Sequence, residues 1–312
     1  MDLLFDVNLL NATIRMVTPI LLAALGASLC LRAGLFNMSL EGLLLVGAFG
    51  AVLGNYVTQN LWLAGLIAIG FSLAFSLVFG YLTIFWRANE IVVAVALNLM
   101  ATGLTTFLLR SIFDVKGAFY DKDMIGLPHV DIGMLGRIPI LGPMFNGQTW
   151  IVYFAFLTVI LLYVYYYKTV SGFRLQAVGE HYLAAQSIGI RVRAYQFAAV
   201  LICGVLCGLA GAQLSLGQVT MFTEGMTSGR GFIALVAMML GKSGPLGILA
   251  ASLLFGFMDA LSVQLQGFAI PAHITLLLPY LMTLVALFLY QLNQSKRTRR
   301  AGHRSSLNEW NT

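Results

Sequence analysis

Apolar runs of about 20 residues, parted by short polar segments, fill most of the chain, and that is the length an α-helix needs to cross a bilayer. Leu61 to Trp86, Trp150 to Tyr167 and Tyr195 to Leu216 meet the requirement without a single charge. Nine spans fit the pattern, at approximately 12 to 31, 39 to 57, 61 to 86, 88 to 110, 149 to 167, 195 to 216, 230 to 241, 246 to 262 and 272 to 291. The expected fold is an all-α integral membrane protein with about nine transmembrane helices, eight and ten being the neighbouring counts. Residues 1–291 read as one membrane domain and 292–312 as a basic tail.

Two spans depart from the plain pattern. The second is led in by Ala33 to Gly42, and the short seventh by Gly217 to Gly231, which contains Thr220, Thr223, Glu224, Thr227, Ser228 and Arg230. Both lead-ins mix glycine with polar residues at the start of an apolar helix. Broken backbone at membrane depth is tolerated only where protein or a water-filled cavity satisfies its hydrogen bonds. The two lead-ins enter from opposite sides, as in two inverted-topology halves, where discontinuous helices border the substrate pathway. Phe36, Asn37, Glu41, Asn98, Thr223 and Glu224 are the candidate pathway residues, Phe36 to stack on a ring and the polar groups to bond its edges.

Composition agrees with a lipid environment: of 312 residues, 59% are hydrophobic and 10% charged. The first apolar run follows Asp2 and Asp6 rather than a basic segment, and so reads as a retained span. Charge placement orients the chain. With the N-terminus outside, twelve of the 18 basic residues fall on the cytoplasmic side: Arg32, Arg87, Lys168, Arg174, Arg191, Arg193, Lys242 and five in the tail. The opposite side takes most of the acids, including Asp114, Asp121, Asp123 and Asp131 in an external loop over 111–148. The positive-inside rule selects this orientation, with the C-terminus cytoplasmic. The net charge of +6 is thus read as orientation and contact with anionic lipid, not nucleic acid.

No catalytic constellation emerges. Gly241-Lys242-Ser243 lacks the glycine five residues earlier that a phosphate loop needs, since Val236 stands there. The four histidines have no ligand spacing, and Cys30, Cys203 and Cys207 lie in apolar helices, where a thiol behaves as a small hydrophobe. No metal and no cofactor is expected on this chain. Within the spans, Glu41, Asn98 and Asp259 are the costly polar groups. The plain alternatives are a first-turn carboxylate for Glu41, an interhelical hydrogen bond for Asn98, and a local ion pair between Glu224 and Arg230.

The cytoplasmic loop over 168–195 is long and well punctuated, which suggests a docking element. From Glu180 to Ile188 it can form a short amphipathic helix bounded by Gly179 and Gly189, with Tyr182, Leu183, Ala185 and Ile188 needing a surface to cover them. Small Ala184 and Ala185 would permit close approach.

With that loop and the following LICGVLCGLAGA (Leu201 to Ala212), GLFNMSLEGLLLVGA (Gly34 to Ala48) and RGFIALVAMMLGKSGPLGILAASLLFG (Arg230 to Gly256), the chain resembles permease subunits of bacterial ABC importers for simple sugars, nucleosides and branched-chain amino acids. The resemblance covers roughly residues 12 to 290. It implies a multi-pass protein of the bacterial cytoplasmic (inner) membrane in which Gly179 to Gly189 is the coupling helix seated on a separate ATP-binding subunit. It implies as further partners a second permease, the same chain or a homologous one, and an extracellular lipid-anchored substrate-binding protein, with ATP and Mg held by the ATP-binding subunit. The external loop, with Gly126-Leu127-Pro128 and Ile138 to Pro143, is more similar to the nucleoside branch, guanosine and purine nucleosides, than to the sugar branch. A stand-alone secondary transporter is the rival reading; a membrane-embedded enzyme would need a paired acid and base.

Overall fold

A computed structural model of the chain describes residues 7–130 and 145–266, together with Leu281. Ten helices carry the described part: α1 (Val7–Arg32), α2 (Leu40–Thr58), α3 (Leu61–Gly80), α4 (Glu90–Phe113), α5 (Trp150–Lys168), α6 (Val170–Glu180), α7 (Tyr182–Ser187), α8 (Val192–Ala212), α9 (Arg230–Leu240) and α10 (Pro245–Gln266). Helix α3 runs on as a π-helical turn, Tyr81–Phe85, and α8 as another, Gln213–Val219. Seven of these helices are long and apolar enough to cross a membrane, and α9 is shorter. The first eight expected spans thus coincide with helices. Apart from Leu281, the ninth, at about 272 to 291, lies outside the described residues, as do the tail and Asp131 and Ile138 to Pro143 of the external loop.

Two antiparallel pairs of short strands join loops at the end where the external loop emerges. Strand β1 (Ala118–Phe119) pairs with β4 (Phe222–Thr223), and β2 (His129–Val130) with β3 (Gln148–Thr149).

Helices α1, α2 and α8 form the centre and are mostly buried, whereas α3 and α4 expose most of their apolar surface. Leu66, Leu99, Phe107 and Ile160 are among the large apolar side chains left on the outside, where lipid is the solvent. With no hydrophobic drive between helices in lipid, close backbone packing holds the bundle. Helix α2 meets α8 where Gly47 faces the backbone of Gly208.

One end of the bundle is tied by Arg32. Its guanidinium lies 4.2 Å from the Tyr166 ring centroid and donates to the Ser243 carbonyl at 2.9 Å and the Tyr167 hydroxyl at 3.2 Å. The ends of α1, α5 and α9 therefore share one level, the basic end read above as cytoplasmic. Helix α4 starts near this level, because Glu90 accepts the Phe36 backbone N–H.

Candidate functional site: two helix starts joined by Glu41

The lead-in to α2 climbs before the helix begins. Asn98 lies eight residues into α4, about 12 Å along its axis, and there donates to the Met38 carbonyl at 3.0 Å and accepts from the Gly42 N–H at 2.8 Å. Helix α9, with 11 residues, rises about 16 Å from the Arg32 level to its own first turn. In a hydrocarbon layer about 30 Å thick, both helices start near mid-depth.

Their N-termini meet there. Glu41, in the first turn of α2, accepts the N–H of Gly229 at 2.8 Å and that of Gly231 at 2.7 Å. These amides open α9 and have no carbonyl one turn back to receive them. Gly229 caps the helix without a side chain of its own, so the acceptor comes from α2 instead. One carboxylate thereby faces the positive ends of two helix dipoles. The contact is close: a Cβ on Gly231 would sit 2.6 Å from the Glu41 Cα.

The other nominated residues divide into two groups. Asn37 is buried, and its Oδ1 accepts from the Ser39 backbone at 2.9 Å and the Ser39 hydroxyl at 2.6 Å, while its Nδ2 lies 3.7 Å from Cys203 Sγ. This is an Asx turn that starts α2. Phe36 is half-buried against the core. Phe36, Asn37, Glu41 and Asn98 thus gather around the start of α2. Thr223 and Glu224 are held elsewhere, on the β1–β4 pair. Thr223 is in register with Ala118, and the Glu224 carboxylate reaches the Gly117 N–H at 3.3 Å and the Arg110 guanidinium at 3.6 Å.

The expected ion pair between Glu224 and Arg230 is replaced by two others. Strand pairing keeps Glu224 beside α4, while positive-φ Gly225, Ser228 and Gly229 turn the chain so that Arg230 meets Asp259 of α10, with NH2 to Oδ2 at 3.0 Å. Both side chains of that pair are largely buried. The sequence marks Asp259 as a costly polar group but not its partner; the available signal was the opposite charge of Arg230 at the start of α9.

The cytoplasmic loop is mostly helical, which corrects the expected helix from Glu180 to Ile188. Gly179 and Glu180 close α6, and α7 is shorter, Tyr182–Ser187, ended by Gly189 at φ +83°. Thr169 starts α6 by accepting the Gly172 N–H at 3.1 Å. Leu183 and Ile188 are each 74% exposed and Tyr182 44%, but Ala185 is 2% exposed and packs with Val178 and Val192. Ala185 is therefore part of a small core inside the loop, contrary to the expectation that it awaits a partner. Gly179 abuts the Arg32 carbonyl and the Gly34 N–H so closely that any Cβ there would overlap them.

Residues 9–287 match the family described as the branched-chain amino acid transport system permease component. The chain belongs to that family. Among curated proteins, this permease is 37% identical over 289 residues to the guanosine ABC transporter permease NupQ of Bacillus subtilis, covering 88% of this chain and 89% of that one. It is 36% identical over 284 residues to the nucleoside ABC transporter permease NupC of Lactococcus lactis, again with 88% and 89% covered. TsgC13 of Haloferax volcanii, provisionally named a glucose ABC transporter permease, is 34% identical over 270 residues, with 85% and 80% covered. A permease of this family is a multi-pass membrane subunit that works with an ATP-binding subunit and a substrate-binding protein.

Proposed function

We propose that this permease forms the membrane pathway of an ATP-driven importer for nucleosides. The observation that carries the substrate class is the 36–37% identity, over most of both chains, to permeases named for guanosine and nucleosides. ATP and Mg sit on a separate ATP-binding subunit, a second permease completes the membrane part, and a lipid-anchored binding protein delivers substrate from outside. The basic end bearing Arg32 and α6–α7 faces the cytoplasm, so an impermeant thiol reagent applied outside should modify a cysteine placed at position 121 and spare one at 180.

The geometry supports a mechanism. Two helix N-termini joined inside the membrane, one opening a full span and the other a short helix, make a frame whose opening changes access from one side to the other. The polar atoms of Asn37, Glu41 and Asn98 are committed to the chain's own groups, so these residues hold the frame instead of gripping substrate. Movement imposed on the α6–α7 loop reaches the frame by two routes. Gly179 presses on Gly34 and the Arg32 carbonyl at the entry to α2, with Gln196 donating to the Ala33 carbonyl at 3.2 Å. Arg32 in turn grips Ser243, at the exit of α9.

A secondary transporter would need a titratable group at depth free to bind a coupling ion. Among the described residues, Glu41 is held by two amides and Asp259 by Arg230.

The glucose relative supports a second substrate class, simple sugars. Uptake of labelled guanosine and labelled glucose by cells lacking this chain, and by the same cells with it restored, tests the choice. Loss and recovery of guanosine uptake alone supports the nucleoside reading; loss of glucose uptake alone overturns it.

A further inference from the structure

Helix α6 lies at the basic end of the bundle. Its Leu175 and Val178 are buried, while Val170 and Phe173 are exposed beside Arg174. Apolar side chains exposed beside a basic one suit the boundary between lipid tails and headgroups. Beside it is an apolar cleft of about 250 Å³ between α1, α6 and α8, whose wall includes Leu29, Leu175, Ala198, Ala199 and Ile202. A second pocket, of about 490 Å³, shares Ala194 and Tyr195 with the cleft and carries Arg174 and Arg191. Neither of these guanidinium groups is in an ion pair among the described residues, where the pairs are Arg110–Glu224 and Arg230–Asp259.

The two pockets ask for one ligand with an apolar chain and an anionic head. A soluble anion would satisfy the arginines and leave the cleft bare, and an acidic protein segment would do the same. A neutral lipid would fill the cleft and leave the arginines unpaired. Tyr195, with an apolar ring and a polar tip, stands between them, at the boundary where such side chains collect.

We propose that this paired pocket binds one anionic phospholipid of the cytoplasmic leaflet, with its phosphate between Arg174 and Arg191 and an acyl chain along Leu29, Leu175 and Ile202. The headgroup pocket is also lined by Ile188 and Ile190, directly after α7. The lipid would therefore brace the loop that meets the ATP-binding subunit, whatever the transported substrate.

The test uses the full-length chain in nanodiscs of phosphatidylcholine containing a minor share of phosphatidylglycerol, with retained lipids counted by native mass spectrometry. Wild type should retain phosphatidylglycerol preferentially. Arg174→Gln with Arg191→Gln should cut that preference about thirtyfold, from about fivefold per basic side chain near an anionic surface. Ala198→Phe, which fills the cleft and keeps both charges, should also abolish retention, whereas Lys242→Gln at the same end should not. The proposal is overturned if the double variant or Ala198→Phe keeps the wild-type preference, or if Lys242→Gln lowers it as much, which would mark diffuse surface charge. It is equally overturned if the double variant, tested separately for co-purification, loses the ATP-binding subunit with lipid retention unchanged, since the arginines would then face protein.

Discussion

Glu41, in the first turn of α2, accepts the backbone N–H of Gly231, in the first turn of α9, at 2.7 Å. The two residues are 190 positions apart, and their contact joins helices that run away from each other toward opposite membrane faces. Removing the carboxylate leaves two amides at membrane depth without an acceptor. Glu41→Ala should destabilise the detergent-solubilised chain by about 2 kcal/mol, and Glu41→Gln by less, because one oxygen remains. Gly231→Ala should be as damaging as Glu41→Ala, since its methyl would overlap the Glu41 backbone. Thermal unfolding of the three variants reads this order; a Gly231→Ala protein as stable as wild type would contradict the close approach.

The Arg230–Asp259 pair carries a second prediction. With side chains only 17% and 14% exposed, loss of either partner leaves a charge stranded in a poorly hydrated site. Arg230→Met or Asp259→Leu alone should cost about 3 kcal/mol. The double replacement should recover most of it. If the two single losses simply added, the residues would not be coupled.

The spans were legible because lipid leaves a long, uninterrupted signal, and all eight expected spans within the described residues are helices. The polar lead-ins at Glu41 and Gly231 were legible as breaks, because glycine beside a charge at an apolar helix start has few other uses. What the breaks join was not. Glu41 reaches Gly229 and Gly231 across 188 and 190 positions, and no local pattern encodes that. Glu224 was misplaced for a related reason: its partner Arg110 comes from the far end of α4, whereas sequence proximity offered Arg230. Ala185 was misread because its burial depends on Val178 and Val192 folding back over a two-helix loop.

That loop supplies a third prediction. Leu183 and Ile188 are exposed, so Leu183→Asp with Ile188→Asp should leave the thermal stability of the permease within about 0.5 kcal/mol of wild type. The pair should nevertheless reduce co-purification of the ATP-binding subunit. Ala185→Glu should do both kinds of harm, because it buries a carboxylate among apolar side chains. Unchanged assembly in the Leu183/Ile188 variant would show that α7 is not the docking element.

On the function proposed above, nucleosides cross this permease driven by ATP hydrolysed on its partner subunit. The most direct measurement is accumulation of labelled guanosine in liposomes containing the permease, the second permease that completes the membrane part, the ATP-binding subunit and the binding protein, with and without enclosed ATP on the loop side. Accumulation that requires ATP and survives a proton ionophore is the predicted result. Accumulation driven without ATP by a proton or sodium gradient, or accumulation of glucose with guanosine excluded, would contradict it.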